Sequence, residues 1–153
     1  MKIILGTAQL IKGYGLEKKN LNIKEFKKIK KTSLASNNNY IDTALSYSGV
    51  DDKLSKLNIK GFNIITKIPS LDIKKNTYKK TIEALRISKE KLKINKFYAV
   101  LLHNEKDLIG KNKLDNFNFL KTIKRMGLTK KIGISCYSKK NLDKVLNNFK
   151  IDV

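Results

Sequence analysis

The sequence predicts an α/β protein of the TIM-barrel type, (β/α)₈, in incomplete form, and three observations lead to this fold class. Short apolar runs alternate with longer amphipathic runs along the whole chain. Most of the short runs are nearly continuous in Ile, Leu and Val, as expected of strands that are buried on both faces. The strand starts are separated by steps that scatter around the ~30 residues per unit of an eight-unit barrel.

The predicted strands are short apolar runs that follow one another at these steps. In chain order they are Lys2–Ala8, Tyr40–Ala44, Asn63–Ile68, Phe97–His103 and Lys131–Ser135, and Ile151–Val153 looks like the beginning of a sixth. Because each strand is separated from the next by a helical pattern, we expect a parallel sheet with right-handed crossover connections.

The predicted helices place apolar residues at roughly helical spacing among lysines. They are Ile23–Ala35, Tyr78–Leu92, Phe117–Met126 and Leu142–Phe149, with a shorter helix at Asp51–Leu57. The apolar residues of the first helix are Ile23, Phe26, Ile29 and Leu34. Gly127 directly follows Phe117–Met126 and is the expected C-cap of that helix.

The chain length matches about five strand-helix units and the start of a sixth strand. A complete barrel of this type needs about 100 more residues than the 153 of this chain. We therefore expect residues 1–153 to be the N-terminal part of a single barrel domain. The rival architecture, a doubly wound dinucleotide-binding sheet, requires G-x-G-x-x-G after the first strand. Gly13-Tyr14-Gly15 is followed by Lys18 at the third position and lies too far beyond the strand, so this motif fails.

Composition excludes several classes of protein. The net charge of +21 suggests nucleic-acid binding, but the chain has 32 Lys and only 2 Arg, together with 16 Asn and 19 Ile, as AT-rich codons produce. We therefore expect a solvated basic surface and no specific nucleic-acid partner. One cysteine excludes a disulfide framework, and the chain has no Cys/His cluster for a metal. Without an apolar run of about 18 residues, we expect no membrane partner and a soluble, cytoplasmic protein.

Four ionisable residues lie at strand ends or just beyond them. Asp42 lies inside the second predicted strand near its end, Lys67 is the penultimate residue of the third, and His103 ends the fourth. Tyr47 follows Asp42 by five residues. The carboxyl ends of parallel strands converge on one face of a barrel, where such enzymes carry out their chemistry. A phenol is a weak acid near neutral pH, but a nearby ammonium favours phenolate and lowers its pKa. The set is suited to protonating a carbonyl oxygen while hydride arrives at carbon.

Taken singly, each of these residues has an ordinary structural explanation. Asp42 could be a turn or cap residue, and Tyr47 could be a packing residue. Lys67 could extend its ammonium to solvent at the strand end, and His103 could be a structural histidine. Their joint placement on consecutive strand ends favours a common site.

Five segments carry a resemblance to a known family. They are Leu5-Gly6-Thr7-Ala8-Gln9, Ile41-Asp42-Thr43-Ala44-Leu45-Ser46-Tyr47, Ile65-Thr66-Lys67, Leu101-Leu102-His103 and Ile132-Gly133-Ile134-Ser135. In content and order they resemble the aldo/keto reductase superfamily. The resemblance implies a (β/α)₈ barrel and NAD(P)H-dependent reduction of an aldehyde or ketone. It implies that Tyr47 is the general acid, that Asp42 and Lys67 tune its pKa, and that His103 donates to the substrate oxygen.

The resemblance also implies contacts to NADP(H) or NAD(H). The candidate cofactor-binding residues are Thr7, Asp42, Ser135 and Cys136. Two positions differ from the family pattern. Ser48 separates Tyr47 from Gly49, and Cys136 stands where the family often has Asn. In the family, the last third of the barrel holds most of the cofactor, so we expect residues 1–153 alone to be inactive.

The substrate and the alternative function follow from the same resemblance. The segments Gly6–Gln9 and Gly13–Gly15 look like bacterial members associated with sugar metabolism, which makes a sugar-related carbonyl compound one expected substrate class. The alternative is a non-catalytic, truncated barrel fragment that acts as a binding or assembly module. An open barrel edge would favour self-association of such a fragment. Reading the gene beyond Val153 separates the two, since an in-frame continuation supports the reductase.

Overall fold

The computed structural model describes residues 3–11, 21–71 and 77–153. In these ranges, five strands alternate with five α-helices. In chain order they are β1 (Ile4–Gly6), α1 (Ile23–Ala35), β2 (Tyr40–Asp42), α2 (Val50–Ser55), β3 (Asn63–Ile68), α3 (Thr77–Lys91), β4 (Phe97–Leu102), α4 (Lys113–Arg125), β5 (Thr129–Ile134) and α5 (Lys139–Asn148). Two 3₁₀ helices, Ala8–Leu10 and Glu105–Leu108, follow β1 and β4.

The strands form one parallel sheet in the order β1-β2-β3-β4-β5. Strand order therefore equals sequence order, which confirms the barrel-type prediction. It also excludes the doubly wound alternative, because in such a sheet the strand order reverses at a switch point. The Gly13–Gly15 segment, where the dinucleotide-binding motif fails, lies outside the described residues.

Two backbone hydrogen bonds extend the sheet beyond β5. The Asp152 N–H donates to the Ile132 carbonyl at 2.9 Å, and the Ile134 N–H donates to the Val153 carbonyl at 3.3 Å. Residues 151–153 therefore lie beside β5, where the sequence predicts the beginning of a sixth strand.

The predicted bounds of β3 and α1 agree with the structure, and the others differ at their ends. The prediction of a strand over Lys2–Ala8 is too long, because the chain turns into a 3₁₀ helix at Ala8. Helices α4 and α5 begin before the predicted Phe117 and Leu142. Their first residues are mostly polar and Leu114 of α4 is exposed, so apolar spacing alone does not detect them. In α5 the Ser138 side chain accepts a hydrogen bond from the Asn141 N–H and marks the true start.

The main core lies between the sheet and the helices. Its largest fully buried side chains include Phe26, Ile41, Leu54, Ile64, Ile68, Leu85, Leu102, Leu120 and Ile123. The opposite face of the sheet carries a smaller cluster of Ile65, Ala99 and Leu101. A parallel sheet buried on both faces accounts for the near-continuous apolar composition of β3 and β4.

The apolar face predicted for α1 is buried only in part. Phe26 is buried, but Ile23, Ile29 and Leu34 remain exposed. Ile29 lies in a shallow apolar groove with Ile3 and Leu5 of the β1 region. β1 is the first strand of the sheet, and the described residues supply no further strand beyond it.

Two other expectations from the sequence concern the end of α4 and the length of the helices. Gly127 follows α4 with a φ of 72°, as expected for a C-cap. Within the described ranges, no helix is long and apolar enough to cross a membrane.

Two leucines of α4 provide a matched test of this packing. Leu120 is 0% exposed and Leu114 is 63% exposed. We expect Leu120→Ala to lower the free energy of unfolding by about 2–5 kcal/mol, since it leaves a cavity in the core. Leu114→Ala should change it by less than about 0.5 kcal/mol. Urea titration followed by circular dichroism measures both, and equal losses in the two variants would contradict the described orientation of α4.

Candidate active site

The ends of β2, β3 and β4 lie side by side on one rim of the sheet. Asp42 is the last residue of β2, Lys67 is the penultimate residue of β3, and His103 directly follows β4. Backbone hydrogen bonds continue the ladder past the strand ends. The His103 N–H donates to the Ile68 carbonyl at 3.0 Å, and the Leu45 N–H donates to the Lys67 carbonyl at 2.9 Å. The three ionisable side chains therefore stand on one continuous, hydrogen-bonded frame.

Lys67 and Asp42 form an ion pair at the centre of this rim. The Lys67 Nζ lies 2.5 Å from the Asp42 Oδ2 and 3.3 Å from the Thr43 carbonyl oxygen. Lys67 is only 7% exposed, whereas the Asp42 side chain is 32% exposed. A buried ammonium is tolerated when it is paired and hydrogen-bonded. The pair thus fixes the position of the Lys67 charge and leaves the Asp42 side chain partly accessible.

Tyr47 lies in the turn that joins β2 to α2. Its N–H donates to the Ala44 carbonyl at 2.9 Å, and its carbonyl accepts from the Val50 N–H at 3.1 Å. Gly49 takes a left-handed φ of 71° immediately before α2. The extra residue Ser48 is thus accommodated in the turn, since a glycine readily adopts the conformation from which the helix starts.

The turn brings the Tyr47 ring to the other two side chains. The Lys67 Nζ lies 5.9 Å from the centroid of the Tyr47 ring. The His103 ring centroid lies 6.2 Å from that of Tyr47, with the ring planes at 73°. The structure therefore brings together all four residues that the sequence singles out for catalysis.

The surroundings of His103 favour the neutral form of its imidazole near neutral pH. Burial lowers its pKa from the ordinary value, and the positive charge of Lys67 lowers it further, while Asp42 opposes the shift. A neutral imidazole has one N–H donor and one acceptor nitrogen. It can therefore donate a hydrogen bond to a neutral oxygen without adding a second positive charge beside Lys67.

The candidate cofactor residues are distributed around the same rim. Thr7 is fully buried, and its N–H and Oγ1 both donate to the Asp42 carbonyl at 3.0 Å. Ser135 directly follows β5, and its N–H donates to the Leu102 carbonyl at 2.8 Å. The Cys136 thiol lies 3.2 Å from the Ser138 carbonyl oxygen. Burial raises the pKa of that thiol, and its hydrogen bond to Glu105 raises it further. The polar groups of Thr7 and Cys136 are therefore engaged within the protein.

Glu105 is a polar residue of this rim that sequence reasoning missed. It is 8% exposed, and its carboxylate accepts hydrogen bonds from the segment after β5. The donors are the Tyr137 N–H at 2.7 Å, the Ser138 N–H at 3.4 Å and the Asn141 side-chain amide at 2.5 Å. Hydrogen bonds from Cys136, Asn141 and Tyr137 lower the pKa of Glu105 to about 2. In the sequence, Asn104-Glu105-Lys106 resembles an ordinary solvated loop, and no spacing distinguishes the glutamate.

An open cleft lies against His103 at the rim. It has a volume of about 550 Å³ and is lined by Ser46, Pro69, Ser70, His103, Asn104, Glu105, Lys106 and Tyr137. A small molecule in this cleft can reach the imidazole. Among the described residues, His, Cys, Asp and Glu side chains form no group of three that could hold a metal ion.

The sequential parallel sheet and its rim define a protein of the α/β barrel class. Residues 2–153 match the model of the Aldo/keto reductase family, and the chain belongs to that family. A search of curated proteins gives no significant match.

Solved structures show the same fold. A protein from Pseudomonas aeruginosa, described as a candidate aldo-keto reductase, has a TM-score of 0.71 at 19% identity over 94% of this chain and 58% of its own. An aldo-keto reductase from Klebsiella pneumoniae in complex with NADPH has a TM-score of 0.65 at 14% identity, over 95% of this chain and 49% of its own. One from Bombyx mori in complex with NADP has a TM-score of 0.64 at 20% identity, over 97% of this chain and 51% of its own. The chain thus spans about half the length of these structures.

The electrostatics of the rim can be tested at His103, the only histidine in the chain. Replacing Lys67 by Met removes a positive charge that lowers the His103 pKa and leaves Asp42 to raise it. We expect the His103 pKa in Lys67→Met to rise toward or above its ordinary value, as measured from the imidazole resonance in an NMR titration. Lys106→Met is the matched control, since Lys106 lines the same cleft and is not among the charges that shift His103. An unchanged or lower pKa in Lys67→Met would contradict the described arrangement.

Proposed function

We propose that this chain carries the proton-donating rim of an NAD(P)H-dependent reductase that converts an aldehyde or ketone to an alcohol. The observation that carries the proposal is the ion pair between the buried Lys67 and the partly exposed Asp42, beside Tyr47 and His103. Membership of the aldo/keto reductase family supports it.

Tyr47 is the proposed general acid. When it gives its proton to the carbonyl oxygen, it becomes a phenolate, and a phenol with an ordinary pKa of about 10 resists this near neutral pH. The Lys67 ammonium, 5.9 Å from the ring, favours the charged form. Asp42 holds that ammonium in place through the ion pair. Asp42 and Lys67 therefore act through Tyr47, and Tyr47 acts on the substrate.

His103 is the proposed second contact to the carbonyl oxygen. It lines the cleft, and its lowered pKa keeps it neutral. Its N–H can then stabilise the negative charge that develops on the oxygen, as a preorganised donor does in other carbonyl reactions. The cleft would hold a small-molecule carbonyl substrate, of which a sugar-related compound is one class.

The residues of the rim are compatible with the nicotinamide end of NADP(H) or NAD(H). Ser135 is half-buried directly after β5, and the Asp42 side chain is partly accessible. These two residues would hold polar groups of the cofactor, while Thr7 supports Asp42 and Cys136 supports the segment after Ser135. When bound, the cofactor supplies the hydride that is delivered to the carbonyl carbon. The structures from Klebsiella pneumoniae and Bombyx mori contain NADPH and NADP.

A second candidate function is a non-catalytic binding or assembly module. It is favoured by the exposed apolar side chains beside β1, among them Ile3, Ile4 and Ile29. An unpaired strand edge with exposed apolar residues promotes association between chains. Such a module would self-associate through this edge and would show no turnover.

Replacing the proposed acid tests the reductase directly. In the intact protein, meaning this chain with any residues that continue it, Tyr47→Phe should lower kcat for aldehyde reduction by about 10²- to 10⁴-fold, because Phe keeps the ring and removes the proton. Tyr98→Phe is the control, since Tyr98 lies near the start of β4, at the opposite end of the strand from the rim. Near-parental turnover of Tyr47→Phe in a steady-state assay would assign the proton to another group.

A further prediction concerns cofactor binding and turnover by residues 1–153 alone. Alone, these residues should bind NADPH and NADH weakly and show no turnover, because a hydride donor must be held about 3–3.5 Å from the carbonyl carbon in a fixed orientation. The chain spans only 49% to 59% of the solved structures it resembles. Calorimetric titration with each cofactor, beside an aldehyde-reduction assay, makes the measurement. Micromolar binding together with turnover by a monomer of these residues would contradict the expectation.

A further inference from the structure

The segment after β5 is held by a buried carboxylate that comes from a different part of the sheet. We propose that Glu105 is a positioning residue for the cofactor side of the site, which keeps Ser135 at the rim by fixing residues 136–141. This inference rests on the proposed reductase function and assigns a part in it to a residue outside the expected catalytic set.

Glu105 is placed by the strand that carries His103. It is the first residue of the 3₁₀ helix after β4, two positions beyond His103. Asn104 precedes it and caps this helix, with its side chain accepting from the Lys106 N–H at 3.0 Å. The cap fixes the backbone at the start of this helix. The Glu105 side chain is buried, with 8% of the residue exposed.

All the donors to the Glu105 carboxylate come from the segment after β5. Oε2 accepts from the backbone N–H groups of Tyr137 and Ser138, and Oε1 accepts from the Asn141 side chain. Asn141 lies in the first turn of α5, where a negative charge is favoured by the helix dipole. A buried carboxylate would be costly without these donors. The geometry therefore couples the position of this segment to the charge on Glu105.

The coupling matters because the described ladder between β4 and β5 ends at Ser135, directly after the pair Leu102 and Ile134. The Ser135 N–H donates to the Leu102 carbonyl, which is the last backbone bond described between these strand ends. Glu105 adds a second link between the same two strands, immediately beyond the first. The proposed acid Tyr47 lies in the turn after β2, and Asp42 and Lys67, which act through it, lie on β2 and β3. Loss of the Glu105 charge should therefore disturb the binding of the cofactor and leave the acid chemistry largely intact.

The test uses a variant that keeps the shape and removes the charge. Glu105→Gln should raise the KM for NADPH in the intact protein by about tenfold or more, since hydrogen bonds to a charged acceptor are lost and an amide faces N–H donors. The kcat should stay within about threefold, because the residues that deliver the proton are untouched. Asn141→Ala removes one donor and keeps the charge, so it should raise the KM less. Glu83→Gln, at an exposed position of α3, is the matched control and should change neither constant.

A second measurement tests the hydrogen bonds between Glu105 and the segment after β5 without an activity assay. Hydrogen exchange of the 153-residue chain should show slow exchange at the amides of Tyr137 and Ser138 in the parent and faster exchange in Glu105→Gln. Unprotected amides in the parent, or a KM for NADPH that is unchanged in Glu105→Gln, would overturn this inference and leave the proposed reductase standing. A parent protein that neither binds NADPH nor reduces aldehydes would overturn the proposed function, and this inference with it.

Discussion

The arrangement of the rim depends on one constraint, which is the burial of the Lys67 ammonium at the end of an otherwise apolar strand. The side chain reaches its charge partner Asp42 only because β2 and β3 are parallel, adjacent and in the observed register. Breaking a buried ion pair by removing one partner leaves an uncompensated charge, which is strongly unfavourable. The same pair that makes Lys67 tolerable in the fold places a fixed positive charge beside Tyr47. The burial of Lys67 and the proposed acid chemistry therefore both depend on the ion pair between Lys67 of β3 and Asp42 of β2.

The elements and site residues that can be predicted from the sequence are those whose burial produces a regular apolar pattern, or a break in one, along the chain. β3 and α1 were predicted with correct bounds, because an apolar run and a helical period each mark a continuous element. Asp42, Lys67 and His103 stood out because ionisable groups are rare in apolar strands. The face of α1 is predicted less well, since Ile29 and Leu34 have the right spacing but are exposed, and Ile29 lies beside Ile3 and Leu5 at the first strand of the sheet. Periodicity identifies a helix and an apolar face, and it does not say whether a partner covers that face.

Glu105 illustrates what sequence cannot supply. Its burial is created by donors more than 30 positions later in the chain, so nothing local marks it as different from an exposed glutamate. The starts of α4 and α5 lie outside the predicted bounds for a different reason, since the residues before Phe117 and Leu142 are mostly polar and are not part of a buried apolar face. An apolar pattern contains no information about either feature.

A chain that spans about half of its structural relatives can still assemble this rim, because the rim needs only neighbouring strands. Lys67 pairs with Asp42 on the adjacent strand, and the His103 N–H bonds to Ile68 on the adjacent strand. The face of the sheet opposite the main core is different. Among the described residues, its apolar cluster consists of Ile65, Ala99 and Leu101, with Tyr40 and Tyr98 partly buried beside them, whereas a closed barrel fills its interior with layers drawn from all eight strands. The groups that act on the carbonyl oxygen thus depend on local pairing, while the enclosure that would hold a cofactor over the carbon depends on closure of the whole barrel. This difference is why residues 1–153 alone are expected to form the proposed acid site more completely than the proposed cofactor site.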